Sequence, residues 1–185
     1  SASLTVGSTT AGSGDVSISG SITQSASGTF SAKTAAAATP TFGGSGTISL
    51  YNLSFEPGAA GASYTLGSGA SQTITVANNL TIGDDTNSVT VNADTNDPTI
   101  DVNGNFLINT SATYQNSATV AMTVAKNFTQ DGTYTHNGGT ISLDGSTTSD
   151  DSTVTCSGTI GGSIGFSKTG DGDITIGSGC TVASP

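Results

Sequence analysis

Short runs in which every second residue is apolar recur along the chain, and the most regular of them share more than alternation. Thr73-Ile74-Thr75-Val76-Ala77-Asn78-Asn79-Leu80-Thr81-Ile82 is matched by Thr99-Ile100-Asp101-Val102-Asn103-Gly104-Asn105-Phe106-Leu107-Ile108. A third copy reads Ala121-Met122-Thr123-Val124-Ala125-Lys126-Asn127-Phe128-Thr129-Gln130. The common pattern is apolar, x, Val, x, x, Asn, Leu or Phe, x, Ile or Gln. Each copy therefore holds two strands of period two, separated by residues that break the alternation and mark a bend. Looser copies start at Val16, Ile48 and Ile174, the one at Ile48 being a residue short at the bend, and the apolar pair Ile141 and Leu143 falls before the last.

A third alternating piece belongs to the repeat: Gly28-Thr29-Phe30, Tyr64-Thr65-Leu66, Val89-Thr90-Val91, Thr113-Tyr114 and Thr133-Tyr134-Thr135. Copies starting at 16, 48, 74, 100, 122 and 174 give a period near 26 residues with corners of variable length. Three strands per period, with corners rich in Gly, Asn, Asp and Ser, predict one solenoid turn per repeat. The expected fold is all-β, a right-handed parallel β-helix with three short strands per rung, in one domain over residues 1–185. Residues 1–15 are read as an N-terminal edge strand and lead-in, and residues 16–182 as the repeats. An antiparallel β-sandwich of pilus or surface-layer type, completed by an exchanged strand such as Ser3-Leu4-Thr5-Val6, is the alternative. The periodic asparagine favours the helix. Ala35 to Ala38 is the one helix-favouring run, and Pro40 closes it.

Asn52, Asn79, Asn105 and Asn127 hold one position in the repeat, just before the inward Leu or Phe. Asparagine tolerates corner backbone geometry well, and stacked carboxamides can hydrogen-bond along the axis. They are expected to form a structural ladder. The Asn-[Leu/Phe]-x-[Ile/Leu] repeat, with pieces such as Ser45-Gly46-Thr47-Ile48 and Ser27-Gly28-Thr29-Phe30, resembles the repeats of large bacterial surface proteins. Its asparagine corner is also similar to that of right-handed pectate-lyase-type helices. The resemblance covers roughly residues 16–182 and implies a cell-surface scaffold or adhesin. No catalytic residue carries over, because pectate-lyase chemistry needs an arginine base and this chain has none.

Composition narrows the function further. Only 33% of the 185 residues are hydrophobic and 5% aromatic, with no tryptophan and 26 glycines, which suits the thin core of a solenoid better than a sphere. Charged residues make up 9%, too few for the charge-driven disorder of a polar chain. A net charge of −10, with three lysines and no arginine, argues against nucleic-acid binding and against anionic membranes. No run of residues is apolar enough to span a bilayer, and no signal peptide is present, so the chain reads as mature or cut from something longer.

The chemistry on offer is sparse. Asp84/Asp85, Asp150/Asp151 and Asp171/Asp173 are carboxylate pairs of the kind a glycoside hydrolase uses, yet none has a Trp platform beside it and all lie in turns. Asp94, Asp97 and Asp101, with Asn96, form the densest oxygen cluster and are the candidate calcium ligands, although no calcium-loop motif surrounds them. His136 has no ligand partner at metal spacing. Four sequons, at Asn52, Asn79, Asn109 and Asn127, overlap largely with the corner motif. Cys156 and Cys180 stand about one period apart, which places them on neighbouring rungs and predicts a disulfide. Cys180 is expected at the inward position held by Leu80, Phe106 and Phe128.

The expectation for function is an extracellular, non-catalytic structural or adhesive protein: a cell-surface scaffold or a filament or matrix subunit. Its open ends call for end-to-end self-association or for flanking repeats of a longer chain. A glycan or host-surface ligand is the remaining partner class. Rival functions are a donor-strand pilus or surface-layer subunit and, behind it, a carbohydrate-active β-helix enzyme.

Overall fold

The computed structural model describes residues 2–8, 16–18, 21–24, 27–34, 39–145, 151–169 and 172–183. Asp150, Asp171 and the Ala35 to Ala38 run lie outside them.

One repeat shows how the sequence makes a turn. In Thr73–Val76 the branched Ile74 and Val76 favour a strand and point to one side, while Thr73 and Thr75 point out. Ala77, Asn78 and Asn79 bend the chain into Leu80–Ile82, again with the apolar pair buried and the threonine between them outward. A longer loop leads to Val89–Asn92, and after another the chain returns as Thr99–Val102 directly above Thr73–Val76. Each rung thus adds one strand to each of three sheets. Among the described residues sheet A has eight strands and contains Leu80–Ile82; sheet B has six and contains Val89–Asn92; sheet C has seven and contains Thr73–Val76.

Among the described residues every strand pairing is parallel, from Ala2–Ser8 against Gly28–Thr34 at one end to Ser152–Cys156 against Ile174–Ile176 at the other. The protein is a parallel β-solenoid of about six complete turns, and the antiparallel sandwich is ruled out. A seventh turn is irregular: Thr159–Ile160 leaves sheet B and pairs with Thr181–Val182. No α-helix occurs among the described residues.

The sheet assignment of the loosest copies differs from expectation. Val16–Ile18 belongs to sheet B and pairs with Phe42 to Gly44, while Ile22 is the residue aligned with Ile48 in sheet C. Gly28–Thr34 is a sheet A strand, and so is Ile174–Ile176, which stacks on Ser152, Thr153 and Val154. Alternation is the same in all three sheets, so only the corner tells them apart. These copies lack the asparagine that marks it.

The core is a narrow apolar column closed on three sides. Aliphatic residues stack on like residues, as in Ile48–Ile74–Ile100 and Leu50–Val76–Val102, all 2% exposed or less. Two aromatic groups fill the wider parts. Phe30, Phe42, Phe55 and Tyr64 form a chain of edge-on contacts with centroids 5.1–5.6 Å apart. Phe106 stacks on Phe128 at 5.3 Å, with Tyr114 and Tyr134 packed edge-on against them. Burying one such ring contributes about 1.5–3 kcal/mol, and repetition along the axis supplies the stability that low hydrophobic content would otherwise deny.

Candidate functional site

The bend between sheets C and A carries the most regular polar chemistry. Asn105 Nδ2 donates to Asn79 Oδ1 at 2.9 Å, and Asn127 Nδ2 donates to Asn105 Oδ1 at 2.9 Å. Each accepting oxygen also takes the backbone N–H of the asparagine above it, at 3.3 and 3.2 Å. Asn52 enters the series differently. Its Oδ1 accepts the Asn79 N–H at 3.1 Å, but the side-chain amide that reaches it is that of Asn78, at 2.9 Å. The missing residue in the Asn52 bend accounts for this exchange of partner. At the top Asn127 Oδ1 accepts the Thr153 N–H at 2.8 Å, so the last asparagine still satisfies a backbone donor where no further asparagine follows.

Asn78 is a ladder residue that the repeat pattern did not single out; the Asn78-Asn79 doublet beside a shortened bend is its signal. Gly104 occupies the slot above it, and a Cβ there would run into the Asn78 carbonyl oxygen, so close stacking of the bends requires glycine on that rung. A shallow groove runs along the stack, lined by Asn79, Leu80, Asn105, Phe106 and Asn127. The sequon asparagines are engaged as well: Asn109 is buried and donates to the Gly83 carbonyl at 2.7 Å, and Asn52 donates to that of Gly28 at 2.9 Å.

The carboxylates serve the corners. Asp84 Oδ1 accepts the N–H groups of Asn87 at 2.9 Å and Thr86 at 3.0 Å, and the Asn87 bond above all holds its carboxyl below the usual range. Asp85, in left-handed backbone geometry, accepts the Thr110 N–H at 3.1 Å from the next rung. Asp151 likewise accepts the Asp173 N–H at 2.9 Å.

The three candidate calcium ligands are dispersed in role. Asp97, also left-handed, accepts the Ser117 hydroxyl at 2.6 Å and the Ala118 N–H at 3.1 Å, and the Ser117 bond chiefly lowers its pKa. Asp101 accepts the Thr123 hydroxyl at 2.9 Å on the outer face of sheet C. Asp94 lies in the turn that precedes them. Among the described residues no three His, Cys, Asp or Glu side chains gather in one cluster.

Other corners use buried amides that alternation alone does not announce. Gln72 Oε1 accepts the N–H groups of Gly44 and Ser68, each at 3.0 Å, while its Nε2 donates to the Gly46 carbonyl at 2.9 Å. Asn116 donates to the Gly139 carbonyl at 2.7 Å, and Asn137 to that of Asn116 at 3.0 Å. His136 is a packing residue: Gly162, with φ +93°, leaves room for its ring, which a Cβ would overlap. Tyr64 donates to the Glu56 carbonyl at 3.0 Å, and burial pushes the hydroxyls of Tyr64, Tyr114 and Tyr134 well above the ordinary tyrosine range.

Eight of the ten aromatic residues are buried, so few rings are available to stack on sugar. The outer face of sheet C is instead rich in hydroxyls, with Thr73 aligned to Thr99, Ser49 to Thr75 and Thr123 to Ser142.

A disulfide joins Cys156 to Cys180, their Cα atoms 5.2 Å apart. Cys156 ends a sheet A strand, aligned with Gln130. Cys180 does not take the Leu80 position, which Val154 and then Ile176 hold on these rungs. It lies four residues beyond Ile176, past the turn at Gly179, and the chain folds back to meet Cys156. Among the described residues no helix is long and apolar enough to cross a membrane. Compared with protein-family models, curated proteins and solved structures, the chain matches none.

Proposed function

We propose that this protein is an extracellular structural or adhesive element, a rod of the bacterial surface-scaffold kind, without catalytic activity. One observation carries the reading: the polar groups repeated along the chain are spent on holding one rung to the next. The asparagines at 79, 105 and 127 bond to each other and to backbone N–H groups, and Asp85 and Asp151 accept backbone N–H groups from the following rung, while Asp84 caps its own turn. The Asp84 carboxyl, held below the usual range chiefly by the Asn87 N–H, suits a corner; a glycosidase acid needs the opposite, a raised pKa beside a sugar cleft. The disulfide is in keeping with an oxidising location outside the cytoplasm. The outer face of sheet C, lined by hydroxyls with the Asp101 carboxylate among them, offers a polar surface for a glycan or a host surface.

Antibody raised against the folded chain and applied to intact source cells tests the reading. Labelling of unpermeabilised cells is expected; labelling only after permeabilisation would contradict it. Screening against acidic, neutral and amino polysaccharides should give no turnover, and cleavage of any of them would overturn the non-enzymatic assignment.

A further inference from the structure

We propose that a recess at the corner between sheets B and C, formed by residues 44–47 and 68–73, binds one sugar unit of a neutral oligosaccharide. This rests on the adhesive reading and names its ligand class. The recess has a volume of about 330 Å³ and is shared by two successive rungs, room for a single ring with its hydroxyls. Five Ser and Thr hydroxyls, the Gln72 carboxamide and three glycines line it. Gln72 forms the floor and is 5% exposed. Its Oε1 accepts the N–H groups of Gly44 and Ser68, and its Nε2 donates to the Gly46 carbonyl. One side chain thus fixes both loops, so the recess is set before a ligand arrives. Gly43 makes this possible, because a Cβ there would strike Gln72 Oε1 and the Gly67 backbone. The corner one rung further on is filled instead. Asn96 donates to the Gly67 carbonyl at 2.6 Å, and Pro98 lies against Gly67. Between Gly44 and Gly46, and between Ser68 and Ser71, the chain carries only Gly, Ala and Ser, which leaves the space open.

The lining selects the ligand. None of the nine lining residues is charged, in a chain whose net charge is −10. The recess therefore offers no cation to a phosphate, sulfate or carboxylate, and no carboxylate to a metal ion. It holds no aromatic or large aliphatic side chain, so a flat apolar ring gains little there. What it does offer are hydroxyl, amide and backbone groups, which can replace water around the hydroxyls of a sugar. Gln72 Nε2 carries two hydrogens and gives one to Gly46, leaving a second N–H for a ligand oxygen. A chain longer than one unit has a path out. Thr73, at the rim, is exposed and aligned with Thr99 on the next rung, so further units run along this column of hydroxyls. Asp101, two residues beyond Thr99 on the same strand, repels an acidic chain that takes that path.

Amide chemical shifts of the isotopically labelled whole chain test the site, recorded as cellotetraose, maltotetraose, triacetylchitotriose or an oligogalacturonate is added. At least one of the three neutral sugars should move the N–H signals of Gly44, Ser68 and Gln72, with a Kd of about a millimolar. The oligogalacturonate should leave those signals in place. Ser71→Trp fills the recess and should weaken binding at least roughly tenfold. Its melting temperature should stay at the parent value, because Ser71 is exposed. Thr99→Trp lies outside the recess, so it should weaken the oligosaccharide and leave the matching monosaccharide unaffected. Neutral sugars that move no signal or only signals elsewhere, undiminished binding by Ser71→Trp, equal binding of the acidic chain, or a Thr99→Trp that spares the oligosaccharide or weakens the monosaccharide would each overturn the assignment. A chain that binds none of these sugars, yet is labelled by antibody on intact cells, would remove the site and leave the scaffold reading in place.

Discussion

Asn127 reaches down one rung and gives both its side-chain amide and its backbone N–H to the Oδ1 of Asn105, at 2.9 and 3.2 Å. One oxygen therefore ties two donors of the next rung at the bend between sheets C and A. Asn105→Leu removes that acceptor and also the donor that Asn79 receives. It should cost about 1–3 kcal/mol, read as a lower urea midpoint at unchanged slope. A variant that melts like the parent would mean that the asparagine stack carries no stability.

How far the sequence could be read depended on where it held a marker besides alternation. The asparagine bends gave the register of sheets C and A from Ile48 to Gln130, and the structure pairs Ile74 with Ile100 and Leu80 with Phe106 accordingly. Val16, Gly28 and Ile174 were displaced by one strand because Ile-x-Ile reads alike in every sheet. The Gln72 and Asn116 clamps were invisible for another reason: their partners are carbonyls and N–H groups on adjacent rungs, fixed by loop paths that alternation does not encode. The cysteines met although Cys180 was expected elsewhere, since a spacing near one period brings two residues onto neighbouring rungs from several starting positions.

The same residue type should behave oppositely in the column and at its end. Phe106 is fully buried between Tyr114 and Phe128, so Phe106→Ala should cost about 3–5 kcal/mol. Phe166 is 57% exposed, and in a dilute single copy Phe166→Ala should stay within about 0.5 kcal/mol of the parent. Chemical denaturation of both variants checks the contrast, and equal losses would contradict this difference in burial.

Acid should weaken the fold through its corners. Asp84 and Asp97 are held below the ordinary carboxyl value of 3.8, by the Asn87 N–H and the Ser117 hydroxyl respectively. The native state then binds fewer protons than the unfolded chain. Their contribution is complete above the unfolded value and is lost as pH falls through the folded one. Asp144 acts in the other sense: burial first, and the charge of Asp101 next, raise its pKa. Its effect favours the fold at low pH and fades as pH rises through the raised value. Asp97→Asn should make the acid limb of the melting-temperature profile shallower, and Asp144→Asn should flatten the decline on its upper side. Profiles superimposable on the parent would contradict both assignments.

Reduction should act locally before it acts globally. The Cys156–Cys180 bond closes a loop of 24 residues over the last rungs, a constraint worth about 3 kcal/mol. Purified chain alkylated without reductant should keep its mass. After reduction, hydrogen exchange should speed first in Thr159–Ile160 and Thr181–Val182, while Phe106–Ile108 stays protected. Two labelled thiols in the unreduced protein, or uniform loss of protection, would count against this account of the C-terminal end.

The central claim is that successive repeats lie directly above one another in parallel register, and one cross-link tests it. Thr73 and Thr99 are exposed and paired across adjacent strands of sheet C, so cysteines there stand roughly 4.8 Å apart, within disulfide reach. Thr73→Cys/Thr99→Cys should oxidise quantitatively within one chain, while Thr73→Cys/Ala121→Cys, two rungs apart, should keep its thiols. A first pair that stays reduced in the folded protein, or a second pair that bridges as readily, would contradict the stacked register on which the whole reading depends.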